Sequence, residues 1–191
     1  GQERTTQKEW FFSTDANPPV PDFVHNPFGT PTAIITLGQF SEGWIDRDSA
    51  FGNQQGYWDL GGAGGSITIC NPNNPDPLPY KEVWVAVTYF NDISAAPTVT
   101  VTGCQGQIEM ISKFDPIVIE AVPTGGEWRV DVSIWRIYPN PSQEIVVISS
   151  DPTWGSVVSA VTVDTICVPE PATITLLALG GLGLVLRRRR S

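Results

Sequence analysis

The sequence predicts an all-β fold: an antiparallel two-sheet β-sandwich, with a jelly roll as the favoured architecture, followed by a single apolar C-terminal helix. Short segments rich in Val, Ile, Thr and Trp recur along residues 1–168, and Gly, Pro, Asn and Asp stand at their ends. Nothing before residue 172 shows a convincing 3.6-residue apolar period. About eleven short strands in a chain of this length are typical of two packed sheets.

The strand candidates share β-branched and aromatic residues bounded by turn formers. They are Glu9–Ser13, Thr32–Leu37, Gly56–Leu60, Ser66–Cys70, Lys81–Phe90, Thr98–Thr102, Gln107–Ser112, Pro116–Val122, Glu127–Ile137, Glu144–Ser149 and Val157–Ile166. The WRVDVSI segment puts Trp128, Val130, Val132 and Ile134 on one face, and Arg129, Asp131 and Ser133 on the other. The predicted core is Val83, Val85, Val87, Trp128, Val130, Val132, Ile145, Val147, Val161 and Val163.

The charge balance excludes nucleic-acid binding through a basic surface. Charged residues make up only 16% of the chain, and the net charge is −9. Without Glu170 and the four arginines near the C-terminus, the remainder has 7 basic and 19 acidic residues and a net charge of −12. A surface this acidic repels phosphate backbones and could attract divalent cations.

Domain organisation follows from the same patterns. We expect a flexible N-terminus over residues 1–8, a sandwich domain over 9–168 and a separate C-terminal segment over 169–190. The chain starts with Gly1 and shows no charged segment followed by an apolar one, so we expect a mature form whose secretory signal has been removed.

The C-terminal segment reads VPEPATITLLALGGLGLVLRRRRS. Residues 172–186 carry no charge, and a helix of that length spans roughly 22 Å, less than the ~30 Å hydrocarbon core. Long basic side chains extend such a span because they reach the headgroups, and they stay cytoplasmic. The predicted membrane anchors are Arg187, Arg188, Arg189 and Arg190. A buried core helix is the disfavoured alternative, since this segment is apolar on all faces and ends in arginines.

Three parts of this segment occur together in order: Pro169, Glu170 and Pro171, then the apolar helix, then the arginine cluster. In this they resemble the PEP-CTERM sorting signal. The resemblance implies export, an inner-membrane intermediate, processing by an exosortase-type membrane protease near the Pro-Glu-Pro motif, and transfer to the cell surface or extracellular matrix. It also implies an association with exopolysaccharide.

The body has a broad likeness to the jelly-roll domains of carbohydrate-binding modules, without a motif that identifies one. In the Glu42–Gly65 loop region, Trp44, Tyr57, Trp58 and Asp59 have the chemistry of a glycan site, because aromatic faces stack on sugar C–H groups and carboxylates read hydroxyls. The alternative, which the base rates favour, is that the two tryptophans lie in the core and the polar groups form turns.

No cofactor is predicted, and Ca²⁺ is a minor alternative. The candidate oxygen ligands are Asp46, Asp48, Asp59, Asn71, Asn73 and Asp76. They match no EF-hand spacing, and Arg47 between two of the acids disfavours a dense cation cage. Acidic turns on a solvated surface explain the same residues.

The three cysteines match no metal-binding spacing and favour a disulfide after export. Cys70 and Cys104 each follow a predicted strand, and we expect them to pair, leaving Cys167 free or for intermolecular use. The open alternative is that Cys167 pairs with one of the other two and holds the last strand.

Catalysis has little support, because His25 is the only histidine and no nucleophile motif is present. Three functions therefore remain, in this order: a non-enzymatic exported surface or matrix protein, a carbohydrate-binding module or adhesin, and a secreted hydrolase. An exposed coplanar pair of aromatics on one sandwich face would favour the second, a cleft lined by two close carboxylates the third, and a smooth, pocket-poor sandwich the first.

Overall fold

The computed structural model of the protein describes residues 5–92, 94–103 and 106–168. This part of the chain forms two antiparallel sheets, as predicted, and a jelly-roll likeness is consistent with them. The strands are β1 Thr5–Trp10, β2 Phe23–His25, β3 Thr32–Thr36, β4 Gly43–Asp46, β5 Gly56–Asp59, β6 Ser66–Pro72, β7 Tyr80–Asn91, β8 Thr98–Gly103, β9 Gln107–Lys113, β10 Ile117–Ala121, β11 Glu127–Tyr138, β12 Gln143–Ser149 and β13 Val157–Val168.

The larger sheet has the order β10-β11-β7-β13-β1-β2, with β9 also pairing β11, β5 pairing the start of β13, and β4 pairing β5. The smaller sheet has the order β3-β6-β12-β8. Sequence prediction missed β2 and β4, which are short and begin within turn-rich sequence. It also placed the first strand too late: β1 starts at Thr5, so residues 5–8, predicted to be flexible, are paired with β13.

The main core lies between the two sheets. Every second residue of β7 and β13 points into it, and Val83, Val85, Val87, Val161 and Val163 are buried as predicted. The facing strands of the smaller sheet contribute Ile67, Ile69, Val146 and Ile148. Each such side chain stabilises the fold by roughly 1.5–3 kcal/mol relative to an exposed one.

The prediction of which β12 residues lie in the core is wrong by one position. Ile145 and Val147 are only half-buried, whereas Glu144, Val146 and Ile148 point inward. The apolar run IVVI has no alternation, so its sequence leaves the phase of the strand undetermined.

The alternation predicted for β11 is correct, but its apolar face points away from the main core. Asp131 lies opposite Val87, a core residue, so Asp131 faces the smaller sheet. Val130 and Val132 lie on the outer face and are half-buried, which corrects their assignment to the core. Trp128 is fully buried as predicted, in a separate outer cluster.

That outer cluster packs Trp128 with Tyr57, Phe90 and Val122. The rings of Phe90 and Trp128 lie 5.1 Å apart, and Trp128 Nε1 donates to the carbonyl of Phe51 at 2.6 Å. A 3₁₀ turn, Ser49–Phe51, supplies this carbonyl. The cluster therefore attaches the 47–55 loop to the outer face of the larger sheet.

Candidate functional site

The four residues predicted to bind a glycan do not form an exposed platform. Trp58 belongs to the main core and Tyr57 to the outer cluster, where burial raises its pKa to about 12. Trp44 is half-buried, and its Nε1 donates to the carbonyl of Phe12 at 2.8 Å. Asp59 lines two surface depressions, and Tyr57 lines one of them.

Asp59 organises the loop that follows β5. Its carboxylate accepts from the backbone N–H of Glu42 at 2.9 Å and of Gly61 at 2.8 Å. These bonds hold two loops against each other at the end of the sandwich where β5, β7 and β12 finish. We call this end the aromatic end, because Phe40 and Trp154 project from it.

A cavity of about 200 Å³ opens at the aromatic end. Phe40 and Trp154 both line it, and their exposed fractions of 95% and 68% are far above those of the core aromatics. Asp59 and Gln39 add polar atoms to the same wall. Two exposed aromatic rings beside a carboxylate and an amide match the chemistry of sugar recognition.

The Trp154 loop is held by its own backbone and by short side chains. Asp151 Oδ1 accepts from the N–H groups of Thr153 and Trp154, both at 2.8 Å. Gly155 turns the chain with φ +73°, a conformation that L side chains rarely adopt. Ser156 Oγ then donates to the carbonyl of Ala95 at 2.8 Å, which ties the loop to the β7–β8 connection.

The Phe40 loop is equally constrained. Phe40 itself has φ +61°, an uncommon conformation for a bulky residue. The backbone carbonyl of Gln39 accepts from the N–H of Gly62 at 2.7 Å, and the backbone N–H of Gln39 donates to the carbonyl of Ala63 at 3.1 Å. A Cβ on Gly61 would lie 2.5 Å from the Gln39 carbonyl, so this close approach requires glycine. Strain maintained at an exposed aromatic is typical of a binding loop.

Trp154 also lines a second depression of about 300 Å³. Glu42, Asp59, Asp92 and Ser94 line it beside Tyr57 and Phe51. Carboxylates there can accept hydrogen bonds from hydroxyl groups. The aromatic end therefore presents Trp154 at two depressions, of which the second has carboxylates beside a largely apolar surface.

Sequence reasoning missed Phe40 and Trp154. They occur in GQFSEG and DPTWGS, where an aromatic residue stands alone among turn formers. That context is the signal that could have found them, because a large apolar side chain within a tight turn has little core to enter.

The proposed Ca²⁺ ligands are already engaged or dispersed. Asp46 and Asp48 accept from the N–H groups of Arg47 and Ala50 within their own loop. Asn71 and Asn73 lie buried near the opposite end of the sandwich. Within residues 5–92, 94–103 and 106–168, no three His, Cys, Asp or Glu side chains form a group that could hold a metal ion.

The predicted disulfide involves Cys104, which lies outside the described residues, so the Cys70–Cys104 pairing stays a prediction. Cys70 lies on β6, and β12 runs between β6 and β8. Cys167 is buried on β13, and its thiol donates to the side-chain oxygens of Asn73 at 3.2 Å and Asn140 at 3.4 Å. Cys167 therefore belongs to the last strand of the sandwich.

The fold and the aromatic end describe a β-sandwich protein whose last strand leads directly into a C-terminal sorting sequence. Residues 168–190 match the PEP-CTERM protein-sorting motif, which confirms the resemblance seen in the sequence. This motif implies export through the membrane to the cell surface and processing by an exosortase-type membrane enzyme. Its Pro-Glu-Pro, helix and arginine parts, including the predicted helix over 172–186, lie outside the described residues.

Other comparisons add little. No curated protein matches this chain. Among solved structures, the chain is similar to the CBM35 from Cellvibrio japonicus Abf62, at 11% identity and a TM-score of 0.33, over 69% of this chain and 91% of that one. Similarity at that level supports no inference about the ligand. None of the helices in the described part of the chain is long and apolar enough to cross a membrane.

Proposed function

We propose that this chain is a non-enzymatic cell-surface or extracellular-matrix protein that binds a carbohydrate of its exopolymer layer at the aromatic end. The observation that supports this most is the pair of exposed rings, Phe40 and Trp154, on one cavity with Asp59. The exposed aromatics favour the binding module over a purely structural role. No cofactor has a part in this proposal.

The position of the aromatic end suits this role. Trp154 lies in the loop before β13, and the sorting motif begins at Val168, the last residue of β13. The strand between them is roughly 35 Å long at 3.3 Å per residue. The aromatic end therefore faces away from the point where the chain continues towards the membrane.

Glycan binding is tested with the full chain in mild detergent on an array of bacterial polysaccharides and their fragments. We expect binding that Trp154→Ala and Phe40→Ala abolish. Trp84→Ala is the matched control, because Trp84 is 42% exposed on β7 and lines none of the depressions at the aromatic end. Equal loss in the control, or no glycan bound by the wild type, would contradict the proposal.

The same array, run with Ca²⁺ and with a chelator, tests the metal alternative. We expect identical binding, since sugar hydroxyls would meet aromatic faces and carboxylates directly. The hydrolase alternative is tested by incubating the protein with each bound glycan and analysing the products. If the wild type produced shortened glycans and an Asp59→Asn variant did not, the protein would be a hydrolase and not a binding module.

Processing is the second part of the proposal. We expect cleavage close to Pro169–Pro171 by the exosortase-type enzyme, after a transient inner-membrane intermediate. The intact mass of the surface form should then lack Arg187–Arg190. Recovery of surface protein with its full C-terminus would be incompatible with this step.

Leu182→Asp should impair membrane insertion, because an acidic residue near the centre of an inserted helix costs about 2.5–3.5 kcal/mol. The variant should accumulate uncleaved. Normal release of the Leu182→Asp chain would show that insertion of this segment is not required.

A further inference from the structure

The end of the sandwich opposite the aromatic end contains charged side chains that are completely buried. Lys8, Lys81 and Glu144 all have 0% of their surface exposed. Lys81 lies on β7 in the larger sheet and Glu144 on β12 in the smaller one, and Lys81 Nζ lies 2.5 Å from Glu144 Oε2. We call this the polar end. Burying charge in a protein interior is costly unless it is paired, so this arrangement calls for an explanation.

Asn71 lies beside this pair and has no partner of its own. It is directly opposite Glu144 in the β6–β12 pairing, so both side chains point into the space between the sheets. Asn71 is 0% exposed, and neither Oδ1 nor Nδ2 has a hydrogen bond to any described group. Glu144 Oε1 is also buried without a partner. Unsatisfied buried amide atoms cost stability and are rare.

Neighbouring asparagines differ from Asn71 in this respect. Asn73 Nδ2 donates to the carbonyl of Pro141 at 2.5 Å, and its Oδ1 accepts from the Cys167 thiol. Asn74 Oδ1 accepts from the N–H of Asp76 at 2.9 Å. Asn71 is thus a fully buried carboxamide opposite a carboxyl group that itself contacts a lysine.

We propose that Lys81 and Asn71 become joined by an intramolecular isopeptide bond, with Glu144 transferring the protons. An amine, a carboxamide and a proton carrier are the three groups that such an amide exchange needs. Here they come from β7, β6 and β12, so the bond would tie the two sheets together covalently.

The reaction balances without an oxidant or a further reactant. Glu144 takes a proton from the Lys81 ammonium, which leaves a neutral amine and a carboxylic acid. The Nζ lone pair attacks Asn71 Cγ while Glu144 protonates Oδ1. The tetrahedral intermediate then collapses: Glu144 relays the surplus Nζ proton to Nδ2, the Cγ–Nδ2 bond breaks as the carbonyl re-forms, and the Oδ1 proton passes through Glu144 to the departing ammonia. In sum, an ammonium and a primary amide give a secondary amide and an ammonium ion.

The site favours each step. Burial lowers the pKa of Lys81, while Glu144 opposes this shift, so the neutral amine is accessible. Lys81 Nζ contacts Glu144, and Asn71 lies opposite Glu144 on the neighbouring strand, so the fold supplies all three groups in one buried space in place of a bimolecular encounter. The product removes the buried ammonium and replaces the unpartnered primary amide.

Lys8 provides a matched control within the same site. It is equally buried, but its Nζ donates to Thr6 Oγ1 rather than to Glu144. Burial lowers its pKa to about 8, so it is also a competent amine. Contact with Glu144, not burial alone, is what distinguishes Lys81 as the nucleophile.

The intact mass of the full chain, denatured and reduced, tests the proposal directly. We expect a mass lower than that of the sequence by one ammonia. Trypsin should leave residues 48–113 as one peptide, because it does not cleave after an acylated Lys81. Cyclisation of Asn71 onto the next backbone nitrogen would not mimic this result, since Pro72 has no N–H. The unmodified mass would overturn the proposal and leave Asn71 with buried water.

Four variants assign the roles. Lys81→Met should keep the full mass, and Lys8→Met should still lose ammonia; the reverse pattern would overturn the assignment to Lys81. Asn71→Asp should lose water instead and reach the same final mass as the cross-linked wild type, so it keeps the test decisive if Lys81→Met misfolds. Glu144→Gln should remain largely unlinked, and full cross-linking in that variant would refute its role in proton transfer.

Discussion

The two ends of this sandwich are built on the same strands and yet have opposite chemistry. β7, β12 and β13 each have one terminus at the polar end and the other at the aromatic end. At the polar end, the inner face of the larger sheet continues from Val83 and Val163 to Lys81 and Cys167, so polar groups are enclosed between the sheets. At the aromatic end the chain leaves the sheets in turns, and Phe40 and Trp154 stand in solvent.

In our proposal, this difference separates the end of the scaffold that contributes to stability from the end that binds a ligand. Changes at the polar end act on buried, desolvated groups and should alter the free energy of unfolding. Changes at the aromatic end act on exposed side chains over hydrogen-bonded turns and should alter binding. Variants at each end test that division, and the largest effect on stability is expected at Lys81.

Lys81→Met should destabilise the fold by about 3–5 kcal/mol, because it leaves Glu144 buried without its partner. The loss is expected whether Lys81 contacts Glu144 as an ammonium or is joined to Asn71. Urea unfolding measures it. The control is Arg129→Gln, which breaks the more exposed pair with Glu127 and should leave the unfolding midpoint nearly unchanged. Similar unfolding midpoints for the two variants would show that the buried pair at the polar end contributes no more to stability than the exposed pair.

Lys8→Met should instead increase the free energy of unfolding at neutral pH. The Lys8 pKa falls from 10.5 in the unfolded chain to about 8 in the fold. Below pH 8 both states are protonated and the fold bears the full cost of a buried ammonium, at most about 3 kcal/mol. Between pH 8 and 10.5 the unfolded state binds more protons, so wild-type stability rises with pH.

The gain from Lys8→Met should therefore be greatest at pH 7 and shrink by pH 10.5. Unfolding titrations of both proteins at these two pH values measure the difference. A gain that stays constant with pH would show that packing, rather than charge burial, controls this position.

The sequence was sufficient to predict an all-β fold of two antiparallel sheets, but not the phase of every strand. Alternating segments such as KEVWVAVTYF on β7 identify both a strand and its inward face, so Val83, Val85 and Val87 were predicted correctly. Where apolar residues are consecutive, as in IVVI on β12, either face fits. For β11, the alternation is clear, but the outer cluster that buries its Trp128 includes Tyr57, which is distant in the sequence.

The site was harder to predict, for a related reason. The glycan hypothesis selected aromatics near acids in sequence, and strand pairing then buried Tyr57 and Trp58. Phe40 and Trp154 are 114 positions apart in the chain, and the hydrogen bonds around Gly61 and Gly155 bring their loops to one cavity. Asn71 and Glu144 come together in the same way, through a strand register that no local pattern specifies.

Asp151→Ala probes how far the Trp154 loop is organised before binding. The variant loses the acceptor for the N–H groups of Thr153 and Trp154, and should lower stability by about 1 kcal/mol. Glycan affinity should fall as well, because the ring is no longer held in position. Calorimetric titration measures the affinity, and Asp151→Asn, which keeps the side-chain oxygen, should restore most of it. Failure of that rescue would mean that charge, not loop geometry, is the contribution of Asp151.

Trp154→Ala should have the smallest effect on stability and the largest on binding. Trp154 is 68% exposed, so its removal should change the unfolding free energy by less than about 0.5 kcal/mol. Trp128→Ala is the matched contrast near the same end of the sandwich. Trp128 is fully buried against Phe90, and its loss should cost about 3–5 kcal/mol. Unfolding and glycan titrations on both variants separate the two roles. If Trp154→Ala proved as destabilising as Trp128→Ala, Trp154 would contribute to packing rather than to binding. The division between a stabilising end and a binding end would then be wrong, because it depends most on this residue.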